Sequence, residues 1–407
     1  LGILVGGGPA PGINGVIASA TIEALNSGLE VVGLFDGYEH LARGDASKTL
    51  PLTLDLVSRI HATGGSILRT SRTNPAKDEA TLGRTLAAIE ALNLRYLIAI
   101  GGDDTSTGAA RISERTGAGF GIATVPKTID NDLPLPDNAP TFGFETARSV
   151  GAAIVENLME DARTASRWYL AVTMGRKSGS LALGICKASG ATLAIVPEEF
   201  PDGEIRLADV VDTVAGAIVK RLASGRDHGV AVIAEGFVER LPPNELEAMA
   251  EASRDAYGNV RLAEIPIGTA LRDAVRERLR ELGLSTTVVP KDIGYELRCA
   301  KPVPFDVEYT RTLGYGAVRY LLKGGSGALI ALSGGHVVPV NLTDLMDAAT
   351  GHVRTRRVDV TSESYLVARE YMIRLEASDF SEPQLSKLSS KTKLSSADFA
   401  AQFGRLV

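Results

Sequence analysis

The chain has 407 residues, of which 44% are hydrophobic, and its 43 lysines and arginines against 49 aspartates and glutamates give a formal net charge of −6. This size and composition predict a globular protein of two or three domains, and the sequence lacks the basic, aromatic-interleaved blocks that are typical of nucleic-acid binding. With two cysteines, Cys186 and Cys299, we expect no disulfide framework and a reducing, cytoplasmic location. Apolar runs stay far below the roughly 18–20 residues of a membrane span, so we expect no membrane partner.

In the first 126 residues, apolar runs that end at Gly or Asp alternate with stretches of helical periodicity. This alternation predicts a parallel sheet with crossover helices, which is the α/β class. The predicted strands are 1–5, 29–35, 95–100 and 119–126, and the predicted helices are 15–28 and 81–94.

A second series of elements begins near residue 142 and indicates a second α/β lobe. The stretch "SEPQLSKLSSKTKLSS" (381–396) has the composition of a mobile segment, although "ADFAAQF" (397–403) could dock as a short helix. The predicted elements of the second series are helices at 144–162, near 244–256 and near 269–282, and strands at 167–175 and 229–236.

Three Gly- or Asp-rich turns follow predicted strands: "GGGPAPG" (6–12), "GGDDTSTG" (101–108) and "TIDND" (128–132). In an open parallel sheet such turns gather at the carboxyl edge, where ligands bind, so this edge is the candidate site. The first two turns could present backbone N–H groups to phosphate at a helix N-terminus, but either could equally be a tight connection. The glycine spacing of a dinucleotide-binding turn and the lysine of a P-loop are both absent.

The turn at 128–132 carries paired acids. If it is extended, Asp130 and Asp132 project to one side and Asn131 points away. Taken alone, an Asx-type turn with solvated acids is the simpler interpretation. Two Gly-rich turns and the preceding "PK" favour phosphoryl transfer instead, because that chemistry needs an acid for Mg²⁺, an acid that accepts the hydroxyl proton, and cations.

These motifs, together with "TMGR" (173–176) and "AEG" (234–236), resemble those of the phosphofructokinase family, and the resemblance runs from residue 2 to about 320. It implies two Rossmann-like, three-layer α/β lobes with parallel sheets and an active-site cleft between them. The implied division is a phosphoryl-donor lobe at 1–141 with a return segment at about 298–345, a sugar-phosphate lobe at 142–297 with a segment at about 346–380, and a tail at 381–407.

The resemblance also assigns roles to residues. Asp130 is similar in position to the general base that takes the proton from the 1-hydroxyl of fructose 6-phosphate, and Asp103 to the acid that binds Mg²⁺. Arg167 matches an arginine that reaches the sugar phosphate across a subunit boundary, so a homodimer or homotetramer is expected. Further catalytic residues are Lys127, Thr128 and Asp132; further donor-binding residues are Gly7, Gly8, Arg72, Gly102 and Asp104; further sugar-phosphate residues are Met174, Gly175, Arg176, Glu235, Lys291, Tyr295 and Arg298.

Two positions depart from the ATP-using members of the family. Tyr295 stands where many of them have His, and Val289 stands where a phosphate-binding arginine is expected. Lys291 can replace the missing charge, because pyrophosphate-using members similarly have a lysine just upstream of this Tyr-x-x-Arg.

The residue after Asp103 distinguishes the phosphoryl donor. ATP-using members have Gly there, whereas this chain has Asp104. The carboxylate of Asp104 would occupy the space of an α-phosphate, and the repulsion between the two charges would cost on the order of several kcal/mol. Pyrophosphate ends one phosphate earlier, and Lys127 supplies it with a positive charge. The Asp-plus-Lys pair resembles that of pyrophosphate-dependent members, which implies reversible transfer from pyrophosphate to fructose 6-phosphate with Mg²⁺. The alternative for Asp104 is an acid that favours the helix dipole.

The sequence is also compatible with other functions. The first is an ATP-dependent 6-phosphofructokinase, and a second, of another class, is a non-catalytic sugar-phosphate-binding subunit, against which the intact Asp130 and Lys127 argue. NAD and lipid kinases share a GGDG-type turn but not the later motifs. A dinucleotide dehydrogenase could use Asp36, but its turn contains Pro and the five histidines have no ligand or general-base spacing.

Overall fold

The computed structural model describes residues 1–117, 119–250 and 266–407. The chain divides into two compact units, the first formed by Leu1–Ala147 and Tyr295–Arg356 and the second by Arg148–Gly294 and Arg357–Val407. Each unit is therefore built from two segments. Within the described residues, no helix combines the length and apolar character that crossing a membrane requires.

Strands and helices alternate through most of the described residues. The strands are β1 (Gly2–Val5), β2 (Val32–Leu34), β3 (Thr49–Pro51), β4 (Tyr96–Gly101), β5 (Gly121–Pro126), β6 (Arg167–Thr173), β7 (Leu193–Ile195), β8 (Gly229–Ala234), β9 (Thr287–Ile293), β10 (Ala328–Ser333) and β11 (His336–Asn341). The α-helices are α1 (Ile13–Asn26), α2 (Glu39–Ala42), α3 (Leu54–Val57), α4 (Glu79–Ala91), α5 (Asp103–Arg115), α6 (Phe144–Ala165), α7 (Ser180–Ser189), α8 (Leu207–Ala223), α9 (Pro243–Ala250), α10 (Ile267–Glu281), α11 (Tyr295–Arg298), α12 (Pro304–Leu322), α13 (Leu342–Leu345), α14 (Glu363–Tyr371), α15 (Gln384–Ser389) and α16 (Ser396–Phe403).

The sheet of the first unit has the order β11-β10-β5-β4-β1-β2-β3 in the described residues. Its five central strands pair in parallel, whereas the edge strands β3 and β11 are antiparallel to their neighbours. The turn from β10 to β11 is Gly334–Gly335, with φ values of 55° and 80°, which suits a tight hairpin. The predicted α/β class and parallel sheet are confirmed, and the antiparallel edges were not predicted.

Alternate residues of the first sheet face two hydrophobic layers. In β1, Ile3 and Val5 pack in one buried cluster with residues of α1 and α12, while Leu4 packs in a second cluster with residues of α4 and α5. Because successive side chains of a strand point to opposite faces, the sheet carries helices on both sides. The first unit is therefore a three-layer α/β structure.

The sheet of the second unit has the order β7-β8-β6-β9 in the part of the chain that the structure describes, and all of its pairs are parallel. Helices α7 and α10 pack against this sheet, and α8 packs against α10. Of the helix predicted near 244–256, Pro243–Ala250 is helical, and the remainder lies outside the described residues.

The C-terminal tail is docked on the second unit. Helices α15 and α16 pack against α8, and Phe399 and Phe403 are fully buried. The buried Asp212 of α8 accepts a hydrogen bond from Arg405 at 2.5 Å. The expectation of a mobile segment at 381–396 is thus wrong. The composition of the tail is mostly polar, but its few apolar side chains pack onto α8.

Helix α6 begins at a cap that comes from elsewhere in the chain. Asp306 is fully buried at the start of α12, and its carboxylate accepts hydrogen bonds from the backbone N–H groups of Gly143 and Thr146, both at 2.8 Å. Burial raises the pKa of Asp306, while these hydrogen bonds oppose the rise. A long-range carboxylate therefore stabilises the first turn of α6.

Replacing Asp306 by alanine should lower the free energy of unfolding by about 3 kcal/mol, because two backbone donors and a hydroxyl lose their acceptor in a buried site. Chemical unfolding followed by circular dichroism measures this change. Asp55→Ala, at an exposed position of α3, is the control and should change the value by less than about 0.5 kcal/mol. Equal stability of the two variants would contradict the capping role.

Candidate active site

The turns after β1, β4 and β5 lie side by side at the carboxyl edge of the first sheet. The N–H of Gly6 donates to the carbonyl of Ile100 at 2.9 Å, and the N–H of Lys127 donates to the carbonyl of Gly101 at 2.9 Å. The sheet edge therefore gathers the three turns that the sequence singled out.

The glycines of these turns allow a close approach of α5. A Cβ added at Gly6 or at Gly101 would overlap the side chain of Thr105 in the first turn of that helix. Gly7 has a φ of 80°, in the left-handed region that favours glycine. Helix packing thus accounts for part of the glycine pattern that resembles a phosphate-binding turn.

Lys127 is the central cation of this edge. Its side chain is 4% exposed, and its ammonium donates to the carbonyl oxygen of Gly8. Burial, and next the positive charge of Arg298, lower the pKa of Lys127 to about 8, and Asp130 and Asp132 act in the opposite direction. The lysine therefore lies within electrostatic reach of both paired acids.

Two arginines accompany Lys127. Arg298 lies against the turn, since a Cβ added at Gly8 would overlap its guanidinium, and the same guanidinium lies 5.5 Å from the ring centroid of Tyr295. Arg72 follows Ser71, whose carbonyl accepts from the N–H of Gly7 at 2.8 Å. The structure therefore places Arg298, which the resemblance assigned to the sugar phosphate, beside the predicted donor residues.

The loop at 128–132 is bent, so the extended stretch that alternation of Asp130 and Asp132 would require is not formed. Asn131 has a left-handed φ of 56°, a conformation that asparagine tolerates better than most residues. Its side-chain oxygen accepts from the N–H of Thr141 at 3.0 Å, and the N–H of Asp130 donates to the hydroxyl of Thr128 at 3.1 Å. Asp130 and Asp132, whose charges act on Lys127, therefore lie in a bend and not along a strand.

Asp103 and Asp104 occupy the first turn of α5, after Gly102. Asp103 is half-buried and its carboxylate accepts from the N–H of Asp104 at 2.8 Å, while Asp104 is exposed. The described residues contain no cluster of three or more acidic, histidine or cysteine side chains that could enclose a metal. A carboxylate beside a phosphate site suits Mg²⁺, which is commonly held by one or two carboxylates with substrate phosphates and water.

The second unit gathers four of the predicted sugar-phosphate residues. Met174, Gly175 and Arg176 follow β6, and Glu235 follows the neighbouring strand β8. A Cβ added at Gly236 would lie 2.8 Å from the carbonyl oxygen of Gly175, so the two turns are in contact. The guanidinium of Arg176 is ion-paired with Glu239.

Lys291 and Arg167 lie elsewhere in the second sheet. Lys291 pairs with Ala171 in the middle of β6. Arg167 begins β6, whereas Met174 follows its other end, which separates them by roughly 20 Å for a strand of this length. Arg167 instead lies 3.7 Å from the carboxylate of Asp161. Within the second unit, the structure therefore places Arg167 at the opposite end of β6 from Met174, Gly175 and Arg176.

Three residues that sequence reasoning missed act on the loop at 128–132. They are Asn131 itself, Thr141, whose hydroxyl donates to the carbonyl of Thr128 at 2.8 Å, and Arg356, whose guanidinium donates to the carbonyl of Asn131 at 2.9 Å. An Asn between two acids at a turn is a local signal for a left-handed residue. Arg356 is 225 residues away in the chain and offered no such signal.

Comparisons with known proteins agree with the motifs. The family model described as Phosphofructokinase matches residues 1–321. A pyrophosphate--fructose 6-phosphate 1-phosphotransferase of Thermotoga maritima is 53% identical over 389 residues, covering 94% of this chain and 93% of that protein. A protein of the same name from Naegleria fowleri is 49% identical, covering 100% and 95%. An ATP-dependent 6-phosphofructokinase 3 of Streptomyces coelicolor is 32% identical, covering 86% and 95%.

Solved structures share the fold. The crystal structure of a pyrophosphate-dependent phosphofructokinase from Marinobacter aquaeolei has a TM-score of 0.69 and 17% identity, and the match covers 92% of each chain. The structure of phosphofructokinase from Saccharomyces cerevisiae has a TM-score of 0.66 and 19% identity, covering 100% of this chain and 49% of that one. At these identities the likeness concerns the fold alone.

Proposed function

Because the chain belongs to the phosphofructokinase family, we propose that it transfers a phosphoryl group from pyrophosphate to the 1-hydroxyl of fructose 6-phosphate, giving fructose 1,6-bisphosphate and phosphate. The names of its relatives at 49–53% identity support this proposal. The structural observation that carries it is the buried ammonium of Lys127, which donates to the carbonyl oxygen of Gly8 and lies within electrostatic reach of Asp130 and Asp132. Since both donor and product hold phosphate bonds of comparable energy, the reaction runs in either direction.

In the proposed mechanism, Asp130 accepts the proton of the attacking 1-hydroxyl, and Thr128 holds the backbone of Asp130 through its hydroxyl. Lys127, with Arg72 and Arg298 nearby, stabilises the negative charge of the donor and of the leaving phosphate. Enzymes of this family generally depend on Mg²⁺, and we assign Asp103 to that ion, which supplies charge neutralisation for pyrophosphate when bound.

The sugar phosphate is assigned to the turn residues Met174, Gly175, Arg176 and Glu235 of the second unit. Arg176 would exchange its present partner Glu239 for substrate. The separation of Arg167 from these residues supports a contribution of Arg167 to a neighbouring copy, in a homodimer or homotetramer. A cytoplasmic location stays a prediction from cysteine usage.

Initial rates with pyrophosphate and with ATP, each with fructose 6-phosphate and Mg²⁺, test the proposed function. We expect turnover with pyrophosphate and at least about a hundredfold lower kcat/KM with ATP, a difference of about 2.7 kcal/mol. A preference for ATP would favour the ATP-dependent alternative. Absence of turnover with either donor, with fructose 6-phosphate still bound, would favour a non-catalytic subunit.

The pH dependence of donor use follows from Lys127. Because its pKa is lowered to about 8, the lysine loses its charge well below the pH at which an ordinary lysine does. We expect kcat/KM for pyrophosphate to fall above about pH 8, and we expect this alkaline limb to disappear in Lys127→Arg, since arginine stays charged. Matched pH profiles of the wild type and of Lys127→Arg, recorded with the same Mg²⁺-pyrophosphate solutions, measure the alkaline fall in kcat/KM. An unchanged fall in the arginine variant would mean that a group other than Lys127 causes it.

A further inference from the structure

The guanidinium of Arg356 is bound to the loop that carries the paired acids. It donates to the carbonyl of Asn131 at 2.9 Å, to the carbonyl of Ala139 at 2.8 Å, and to the side-chain oxygen of Asn131. The planar, forked donor set of arginine matches several acceptors at once, which a lysine cannot do. One side chain therefore joins both ends of the segment 131–139.

The backbone of Arg356 holds the next residue of the same loop. Its N–H donates to the carbonyl of Asp132 at 2.7 Å. Arg356 thus fixes two consecutive residues, Asn131 and Asp132, directly after the proposed base Asp130. The loop has a second support in Thr141, whose N–H and hydroxyl bind Asn131 and Thr128.

This support matters because Asn131 is in an unfavourable conformation. A left-handed residue other than glycine is less favourable than one in the right-handed or extended region, although asparagine tolerates the conformation better than most residues. The hydrogen bonds of Arg356 and Thr141 converge on the side-chain oxygen of Asn131 and offset this cost. Without the arginine, three carbonyl oxygens lose a donor and Asn131 is free to relax toward the extended region, which would rotate Asp130 and Asp132 relative to Lys127.

We propose that Arg356 is a positioning residue for the proposed reaction: it holds Asn131 in the left-handed conformation and thereby sets the direction of the Asp130 and Asp132 carboxylates. The proposal rests on the proposed function for its effect on catalysis, and on the hydrogen bonds above for its effect on the loop. Small displacements of a reacting group lower the reaction rate strongly, since a shift of about 1 Å can reduce it about a hundredfold.

Three variants test the proposal. Arg356→Met keeps the length of the side chain without its donors, Arg356→Lys keeps the charge without the fork, and Arg354→Met is the matched control. Arg354 is exposed and donates to the carbonyl of Asp344, away from the loop. We expect Arg356→Met to lower kcat about 30- to 100-fold with KM for both substrates within about threefold, Arg356→Lys to lose about fivefold, and the control to stay within about twofold.

Hydrogen exchange measures the effect of the substitution on the loop independently of its effect on turnover. Amides of residues 128–142 should exchange faster in Arg356→Met than in wild type, and at the wild-type rate in Arg354→Met. Unchanged exchange in Arg356→Met, or a kcat within threefold of wild type, would overturn the proposal. If the methionine variant is not recovered folded, a wild-type kcat in Arg356→Lys overturns it. Wild-type protein without turnover would reject the proposed function, whereas the exchange result would still decide whether Arg356 holds the loop.

Discussion

Replacing Asp130 by alanine is expected to lower kcat about a thousandfold while leaving the affinity for fructose 6-phosphate within about threefold of wild type. The carboxylate is the proposed acceptor of the 1-hydroxyl proton, and its removal takes away proton transfer without removing the residues assigned to the sugar phosphate. Initial rates with pyrophosphate and calorimetric titration with fructose 6-phosphate measure the two effects separately.

A second substitution at Asp130 distinguishes the role of its carboxylate as a proton acceptor from the role of the side chain's shape. Asp130→Asn keeps the size of the side chain but is not a base, so we expect it to be as slow as the alanine variant. The control is Asp137→Asn, because Asp137 is an exposed aspartate that follows the same loop and also has a positive φ, 54°, which asparagine tolerates. Turnover near the wild-type level in either Asp130 variant would reject Asp130 as the base.

The strands that position this site could be predicted because each is buried on both faces. Every residue of β4 and β5 is buried, both strands are apolar apart from Thr124, and each ends at a Gly or Pro, so composition indicates where they end. The turns then follow at one sheet edge as a consequence of parallel pairing. Lys127 of the third turn and Gly8 of the first came together in the structure for that reason.

Other elements could not be recognised locally. β9 contains Pro290, which is tolerated because β9 is an edge strand in the described part of the second sheet, and edge position is a property of the assembled sheet. β11 has only half-buried and exposed residues and depends on the hairpin at Gly334–Gly335. Neither strand carries the apolar run that was used to find β4.

The geometry of the paired acids also depends on distant residues. Sequence spacing predicted alternation of the two acids if the stretch were extended, whereas the chain bends there and contains a left-handed residue, Asn131. That conformation is supported by Thr141 and Arg356, ten and 225 residues away. Similarly, Arg298 lies against Gly8, a contact between the two segments that form the first unit. Such pairs are fixed by tertiary packing, so no pattern within one motif reports them.

The donor preference is expected to change when both members of the Asp-plus-Lys pair are replaced. In Asp104→Gly with Lys127→Gly, kcat/KM for pyrophosphate should fall about a thousandfold, because the buried cation at the Gly8 turn is lost, and turnover with ATP should rise because the room for an α-phosphate is restored. Parallel initial rates with the two donors measure the switch. Glycine in the first turn of α5 costs roughly 1 kcal/mol in stability, so thermal unfolding is recorded alongside.

The single variant Asp104→Asn distinguishes two ways in which the Asp104 side chain could exclude ATP, by its charge or by its volume. Asp104 is exposed, so its repulsion of a phosphate about 4 Å away is closer to the 1 kcal/mol of water than to the several kcal/mol of a dry site. Removing that charge alone should therefore raise kcat/KM for ATP only about fivefold, and Asp104→Gly should raise it further because it also removes the volume. If the asparagine variant used ATP as well as the glycine variant does, charge and not volume would exclude the nucleotide. Pyrophosphate use unchanged in the double variant would mean that neither residue selects the donor.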